Sequence, residues 1–450
     1  MRDVKQGLGK ATAGPKSIVA GAQSEPGTGG PETASGWVRA VLLTERWLAT
    51  NERVDTLLEG LAASLAGQER ARAQHLFYGV VRWSGRLEAA LAGLMAHAPR
   101  TKVRAVLLVA GFELLEAGPD SVAQVIHHAV EQAKTVASPK EARLVNAVAR
   151  KLAARLADQP ADLATEFSHP EWLVQRWTAR FGAATTKKLL EWNQQPAPVY
   201  ARWRIEAPVP EFLAPTRWVG FFEVKAGKWD EVRRLANEGA LYLQDPSTRL
   251  CIGLLAPQSG EVILDACAAP GGKSLFIADT MKTGKVVALD EPATPGKPDI
   301  RLVRLKENLS RAPKGVEVAQ VEADLRQVKT DFYRNLQLPE SYDAVLLDAP
   351  CSNTGVMRHR IDVKWRMQDG DFTGHAEQQI ALLHAAARLV KSGGRLVYST
   401  CSIDAVENEG VIKAFFESRA GGAFKLERSV QTYPWKDGHD GAGAFLMKKT

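Results

Sequence analysis

The chain has only four cysteines in 450 residues, Cys251, Cys267, Cys351 and Cys401, with no C-x-x-C pair among them. That scarcity speaks against a disulfide framework and against a cysteine-ligated zinc site, and no metal is expected. Long apolar runs are lacking too. The longest candidates are broken by Arg, Lys or Gly well short of the ~18–20 residues a membrane span requires. The start of the chain shows no charged-then-apolar leader pattern, so a soluble, cytoplasmic protein with no membrane partner is expected. An acidic excess is absent as well: the formal charge is +7, which leans toward an anionic partner without selecting one.

Texture divides the chain. Residues 1–36, rich in Gly, Ala, Ser, Pro and Thr, carry no apolar period and read as a flexible tail. Residues 37–156 turn to long helical periods, as in WVRAVLLTERWLA and EARLVNAVARKLAARL. A connector and a small α/β unit are expected over 157–245, opening at the break Gln159-Pro160-Ala161-Asp162. From 246 to 450 apolar strands alternate with helical segments, the sign of a mostly parallel, doubly covered sheet. The predicted strands are 261–265, 286–290, 316–324, 342–348 and 395–400, with 424–429 and 444–449 as a closing antiparallel hairpin.

Chemistry gathers at the strand ends. The first strand runs into ACAAPGGKS, where Gly271 and Gly272 let backbone approach a ligand closely. Asp265, Asp290, Asp324 and Asp348 end or closely follow four strands, and on such a sheet ligands sit beyond the carboxyl ends. Carboxylates there suit ribose hydroxyls and an adenine amine better than phosphate. Cys351 in DAPCS and Cys401 in STCS follow neighbouring strands, so both thiols are expected at one crevice as candidate nucleophiles. Cys251 and Cys267 read as packing residues. After Cys351 the stretch SNTGVMRHRIDVKWRM interleaves Arg358, Arg360, Lys364 and Arg366 with Trp365, a pattern that can neutralise phosphates, stack a base and lower a thiol pKa.

With these segments in view, the chain resembles the RNA cytosine-C5 methyltransferases of the RsmB/Sun family. QDPST (244–248), DACAAPGGKS (265–274), LKENLSR (305–311), DAPCSNTG (348–355), VKW (363–365) and YSTCSIDAVENEGVI (398–412) keep that family's order. Upstream, SHPEW (168–172) resembles its connector, and RAQHLFYGVVR and LVNAVARK resemble a NusB-like RNA-binding domain. The resemblance implies an α/β Rossmann-like class I methyltransferase domain preceded by an all-α NusB-like domain, monomeric, acting on RNA and most specifically ribosomal RNA. It assigns Cys401 as the nucleophile toward C6 of cytosine and Cys351 to product release, with Asp348 and Lys273 supporting the base. It assigns Cys267, Ala268, Ala269, Pro270, Gly271, Gly272, Lys273, Asp290, Asp324 and Asp348 to S-adenosylmethionine, and a carboxyl near N3 of the base could be kept protonated by burial. Two departures from the family's pattern are the insertion EPATPGKPD (291–299) after Asp290 and the ordering of RHRI (358–361). The competing expectations are an RNA-binding assembly factor with a vestigial catalytic domain, and an exocyclic amine methyltransferase, which would need no thiol.

Overall fold

The computed structural model describes residues 35–450 except 62–64, 66, 297, 298 and 329, so nearly all of the expected tail lies outside the described residues. Helices dominate up to Gln194. The principal ones are α1 (Gly36–Thr50), α2 (Gly67–Leu91), α3 (Thr101–Glu116), α4 (Val122–Val136) and α5 (Pro139–Ala157). Helix α3 buries Val103 and the whole run from Ala105 to Gly111, so it is apolar all round and the others wrap it. Helix α5 opens with a capping box, in which Ser138 and Glu141 satisfy each other's free backbone N–H groups. Two connector helices follow, α6 (Glu171–Phe181) and α7 (Ala183–Gln194).

A small antiparallel sheet comes next, in the order β2-β3-β1-β4: β1 (Tyr200–Trp203), β2 (Leu213–Pro215), β3 (Phe221–Val224) and β4 (Leu241–Leu243). Helix α8 (Trp229–Asn237) packs on it through Val232 and Leu235.

The large sheet has seven strands in the order β10-β11-β9-β8-β5-β6-β7. They are β5 (Val262–Ala266), β6 (Gly284–Asp290), β7 (Val316–Glu322), β8 (Tyr342–Asp348), β9 (Val390–Thr400), β10 (Phe424–Thr432) and β11 (Ala442–Lys449). The first five pair in parallel, while β11 runs antiparallel to both β9 and β10, as the hairpin expectation had it. The inner strands are apolar on both faces because helices cover both: Ile263, Leu264, Val345 and Leu346 are fully buried. From β5 the chain builds outward to β6 and β7, then returns to place β8 on the other side. That reversal opens a crevice beyond the carboxyl ends of β5 and β8, where a doubly wound sheet binds its ligands.

Candidate active site

Two sulfur atoms meet in this crevice. Cys351 Sγ lies 3.2 Å from Cys401 Sγ, and Cys401 Sγ also reaches Asn353 Oδ1 at 3.3 Å. Cys351 is buried at 6% exposure, whereas Cys401 is half-buried and the more accessible of the two. The Cys351 thiol is pushed well above its ordinary pKa, first by its hydrogen bond to Cys401 and then by burial, so it keeps its proton.

The two loops are tied together underneath. Glu407 is fully buried and accepts from the Ser352 backbone N–H at 2.8 Å, the Ser352 and Ser402 hydroxyls and the Gln379 amide. Ser352 follows Cys351 and Ser402 follows Cys401, so one carboxylate fixes both nucleophile loops. Gly355 donates its N–H to the Cys401 carbonyl at 2.9 Å, and a Cβ there would stand 2.7 Å from that oxygen. The close approach requires glycine.

Beside the sulfurs, Lys273 Nζ bonds Asp348 Oδ2 at 2.6 Å, and the Ser399 hydroxyl donates to Asp348 Oδ1 at 3.2 Å. Burial works to lower the Lys273 pKa, but the Asp348 carboxylate and the thiols of Cys251 and Cys401 carry it above its ordinary value. Lys273 and Asp348 thus stand as an ion pair beside the sulfurs.

Next to this pair, Tyr242, Cys267, Ala269 and Gly272 line a cleft that also takes in Asp265, Lys273 and Asp348. Gly271 sits at φ 99°, and a Cβ on Gly272 would come within 2.8 Å of the Tyr242 ring. Asn308 pins the loop from outside, donating to the Pro270 carbonyl at 2.7 Å. Asp290 Oδ2 accepts from the Ala269 N–H at 2.8 Å, and burial raises the pKa of its carboxyl. Asp265 is fully buried, held by Ser274 on one oxygen and without a partner on the other among the described residues, and burial lifts its pKa to about 7. A larger hollow of about 790 Å³ exists in the helical domain, lined by Trp83, Phe112, Leu115 and Val122. No cysteine lines it.

The profile described as 16S rRNA methyltransferase RsmB/F matches residues 252–438, and that of the NusB family matches residues 38–154. The ribosomal RNA small subunit methyltransferase B of Serratia proteamaculans is 32% identical over 423 residues, covering 89% of this chain and 95% of that protein. The chain belongs to the RsmB/F family. Its counterpart in Sodalis glossinidius is 34% identical over 388 residues, covering 82% and 86%. In fold, the crystal structure of PH0851 superposes with a TM-score of 0.74 at 22% identity, covering 92% of this chain and 98% of that one. A methyltransferase homolog from Pyrococcus horikoshii gives 0.52 at 21% identity, covering 64% and 98%. An α/β methyltransferase domain behind a helical NusB domain is thus this RsmB/F member's architecture.

The structure corrects the reading of the loop after Cys351. Lys364 is 2% exposed, its amine donating to the Arg82 carbonyl of α2 at 2.9 Å, and Trp365 Nε1 donates to the Val81 carbonyl at 2.7 Å. Arg358 lies 4.3 Å over Trp192 and donates to the Pro196 carbonyl. Lys364 and Trp365 tie this loop to the helical domain and Arg358 ties it to the connector, because helix surfaces pack against it. They also do not supply the positive charge expected at the thiols; Lys273 is the cation that faces Cys401. Arg360 remains exposed, and Arg366 pairs with Asp362 at 2.8 Å.

Two further expectations shift. Asp324 is engaged on both oxygens by Arg326 and Gln327, with its pKa lowered first by the Arg326 hydrogen bond. The idea of a protonated carboxyl beside the base does not suit Asp348, which is ion-paired. Tyr242, Asn308, Asn353 and Glu407 were not singled out from sequence. Asn308 and Glu407 lie within LKENLSR and YSTCSIDAVENEGVI, but nothing in one chain separates a buried hydrogen-bond hub from a solvated polar residue.

Asp245, His359 and Asp440 bring their ligating atoms within 4.8 Å of one another. Both ring nitrogens of His359 face acceptors, Asp440 at 3.0 Å and the Pro198 carbonyl at 3.2 Å. That is the arrangement of an imidazolium, with no lone pair left for an ion.

Proposed function

We propose that this RsmB/F methyltransferase moves a methyl group from S-adenosylmethionine to C5 of a cytosine in small-subunit ribosomal RNA, with Cys401 as the covalent nucleophile. The observation that carries the reading is the pair of sulfurs 3.2 Å apart, one accessible and one held protonated, at the switch point of the sheet. A single nucleophilic cysteine would serve many chemistries. A second thiol beside it suits a cycle that must both form and break a bond to the same carbon.

The residues present fit the methyl donor. The Gly271–Gly272 turn brings backbone against the cleft, Asp290 is held by Ala269 with its carboxylate at the end of β6, and Asp265 lines the cleft with one oxygen lacking a protein partner among the described residues. Asp290 would accept from the ribose hydroxyls, and Asp265 would answer the ammonium of the amino-acid end. Asp324 would reach the adenine only as part of its unit with Arg326. When bound, the donor supplies an electrophilic methyl on a sulfonium.

Cytosine C5 is a weak nucleophile. Addition of Cys401 Sγ to C6 breaks the ring's aromaticity and places the electron pair on C5, which would take the donor's methyl as the methyl–sulfonium bond breaks and its electron pair stays on the departing thioether. Transfer of the C5 proton to water entering from the open crevice and expulsion of the Cys401 thiolate from C6 restore the ring. Cys351, protonated and in contact with Cys401, would return a proton to that leaving sulfur. Asp348, ion-paired to Lys273, would accept from the cytosine amine and orient the base. The base must leave its stack to enter, which favours a loop or single strand.

The test is transfer from labelled methyl donor into unmodified small-subunit ribosomal RNA, followed by digestion to nucleosides and mass spectrometry. Label in 5-methylcytidine is the expected result; label on an exocyclic nitrogen or on ribose would overturn it.

A further inference from the structure

The carboxylate of Asp362 joins the two domains at the edge of the crevice. Its Oδ2 accepts from the Val54 N–H of the helical domain at 3.3 Å and from Arg366 Nε at 2.8 Å. Arg53, immediately before Val54, is thereby brought to the loop that follows Cys351. Arg360 stands on the same loop, its N–H bonded to the Val356 carbonyl at 2.8 Å, one residue beyond the Gly355 that leans on Cys401. From the other side Arg301, at the start of the helix Ile300–Leu309, comes within 4.0 Å of Asp290, which holds the glycine loop.

Four guanidinium groups are thereby gathered where the helical domain meets the loop after Cys351 and the helix beside Asp290. Arg366 has Asp362 and Arg301 has Asp299. Arg53 and Arg360 have no carboxylate within ion-pairing distance among the described residues, and both are exposed. Arg53 is held below its ordinary pKa by burial and then by repulsion from Arg366, Arg360 and Arg301, partly offset by Asp362; Asp299 in turn feels Arg53. Crowding cations in this way does not stabilise the fold. It does provide fork-shaped donors for an anion with several oxygens.

We propose that Arg53, Arg301, Arg360 and Arg366 form one phosphate grip, built from both domains, that holds the RNA backbone on either side of the base presented to Cys401. The inference rests on the RNA-methyltransferase reading and adds to it that the helical domain is part of the substrate site. A base turned out of its stack leaves its neighbouring phosphates as the only continuous handle, and guanidinium groups gathered from both domains can hold both sides at once. Arg53 is the informative member, since it comes from the helical domain and is not among the residues assigned to chemistry.

The experiment uses the full chain and an in vitro transcript of small-subunit ribosomal RNA, with binding measured by filter retention across a salt series. Arg53→Glu and Arg360→Glu are each expected to weaken binding about tenfold or more near 0.1 M salt, and to flatten the dependence of log Kd on log salt by about one phosphate contact. Arg53→Lys should keep most of the affinity, and calorimetric binding of S-adenosylmethionine should be unchanged in all three. If Arg53→Glu and Arg360→Glu both bind within twofold of the unaltered chain with the same salt slope, the grip does not exist. A methyl group found elsewhere than C5 would end the cytosine reading, yet leave this binding result to stand or fall by itself.

Discussion

Cys351 and Cys401 share a contact but not an environment, and the roles proposed for them follow that difference. The more accessible sulfur can reach a base; the buried one, hydrogen-bonded and holding its proton, can only serve its neighbour. Cys401→Ala should reduce methyl transfer by roughly a thousandfold or more. Cys351→Ala should instead leave a covalent protein–RNA species that survives a denaturing gel; its absence would remove Cys351 from the release step. Asp265 lends itself to a second residue-scale test. Its folded-state pKa, raised by burial to about 7, lies above the ordinary carboxylate value of about 3.9. A group raised in this direction costs stability once ionised, so the loss grows as pH climbs from about 4 to 7 and persists above. In the chain without methyl donor, Asp265→Asn should therefore raise Tm at pH 8 by the equivalent of about 1 kcal/mol or more and change it little near pH 4. Calorimetric melts at the two pH values decide it, and equal shifts at both would contradict the assignment.

At the scale of elements, the decisive connection is Glu407, one carboxylate holding the loop after β8 to the loop after β9. Glu407→Ala should leave buried Ser352 and Ser402 donors unsatisfied, at about 1–3 kcal/mol each. It should also lower kcat by about a hundredfold while donor affinity holds, because the glycine loop hangs on β5 and not on these loops. Steady-state kinetics set beside donor titration separate the two effects. What the sequence disclosed follows the same division. Strands were legible because apolar runs buried on both faces leave an unmistakable pattern, and the loops at their ends followed from the topology rule. The paired cysteines were legible because consecutive parallel strands deliver their carboxyl ends to one edge. Glu407 and Asn308 were not, since their polarity looks the same whether they face water or, as here, buried partners: four donors on Glu407 and the Pro270 carbonyl on Asn308. The loop 358–366 misled for a related reason. Lys and Trp beside Arg suit an RNA surface and a domain seam equally well, and only the packing of α2 against them distinguishes the two.

At the scale of the whole molecule, that seam determines how the helical and catalytic domains act together. Ile361 enters the apolar cluster of Leu43, Trp47, Phe77 and Val81, and Trp365 packs against Gly85, where a Cβ would stand 2.9 Å from its ring. With the Lys364 and Trp365 hydrogen bonds to α2, these contacts make the orientation of the two domains a packed property and not that of a loose tether. Trp365→Ala should therefore remove a partly buried ring and its hydrogen bond to the Val81 carbonyl, weakening the seam by about 3 kcal/mol. The expected signature is a single unfolding transition that splits into two by calorimetry, with the catalytic domain still binding the methyl donor. RNA affinity should fall as well, because Arg53 would no longer be held beside Arg360, but the fall should come from lost alignment. An added covalent link between the domains would then restore affinity to Trp365→Ala and not to Arg53→Glu. If the link restored neither, the seam would not be what places Arg53.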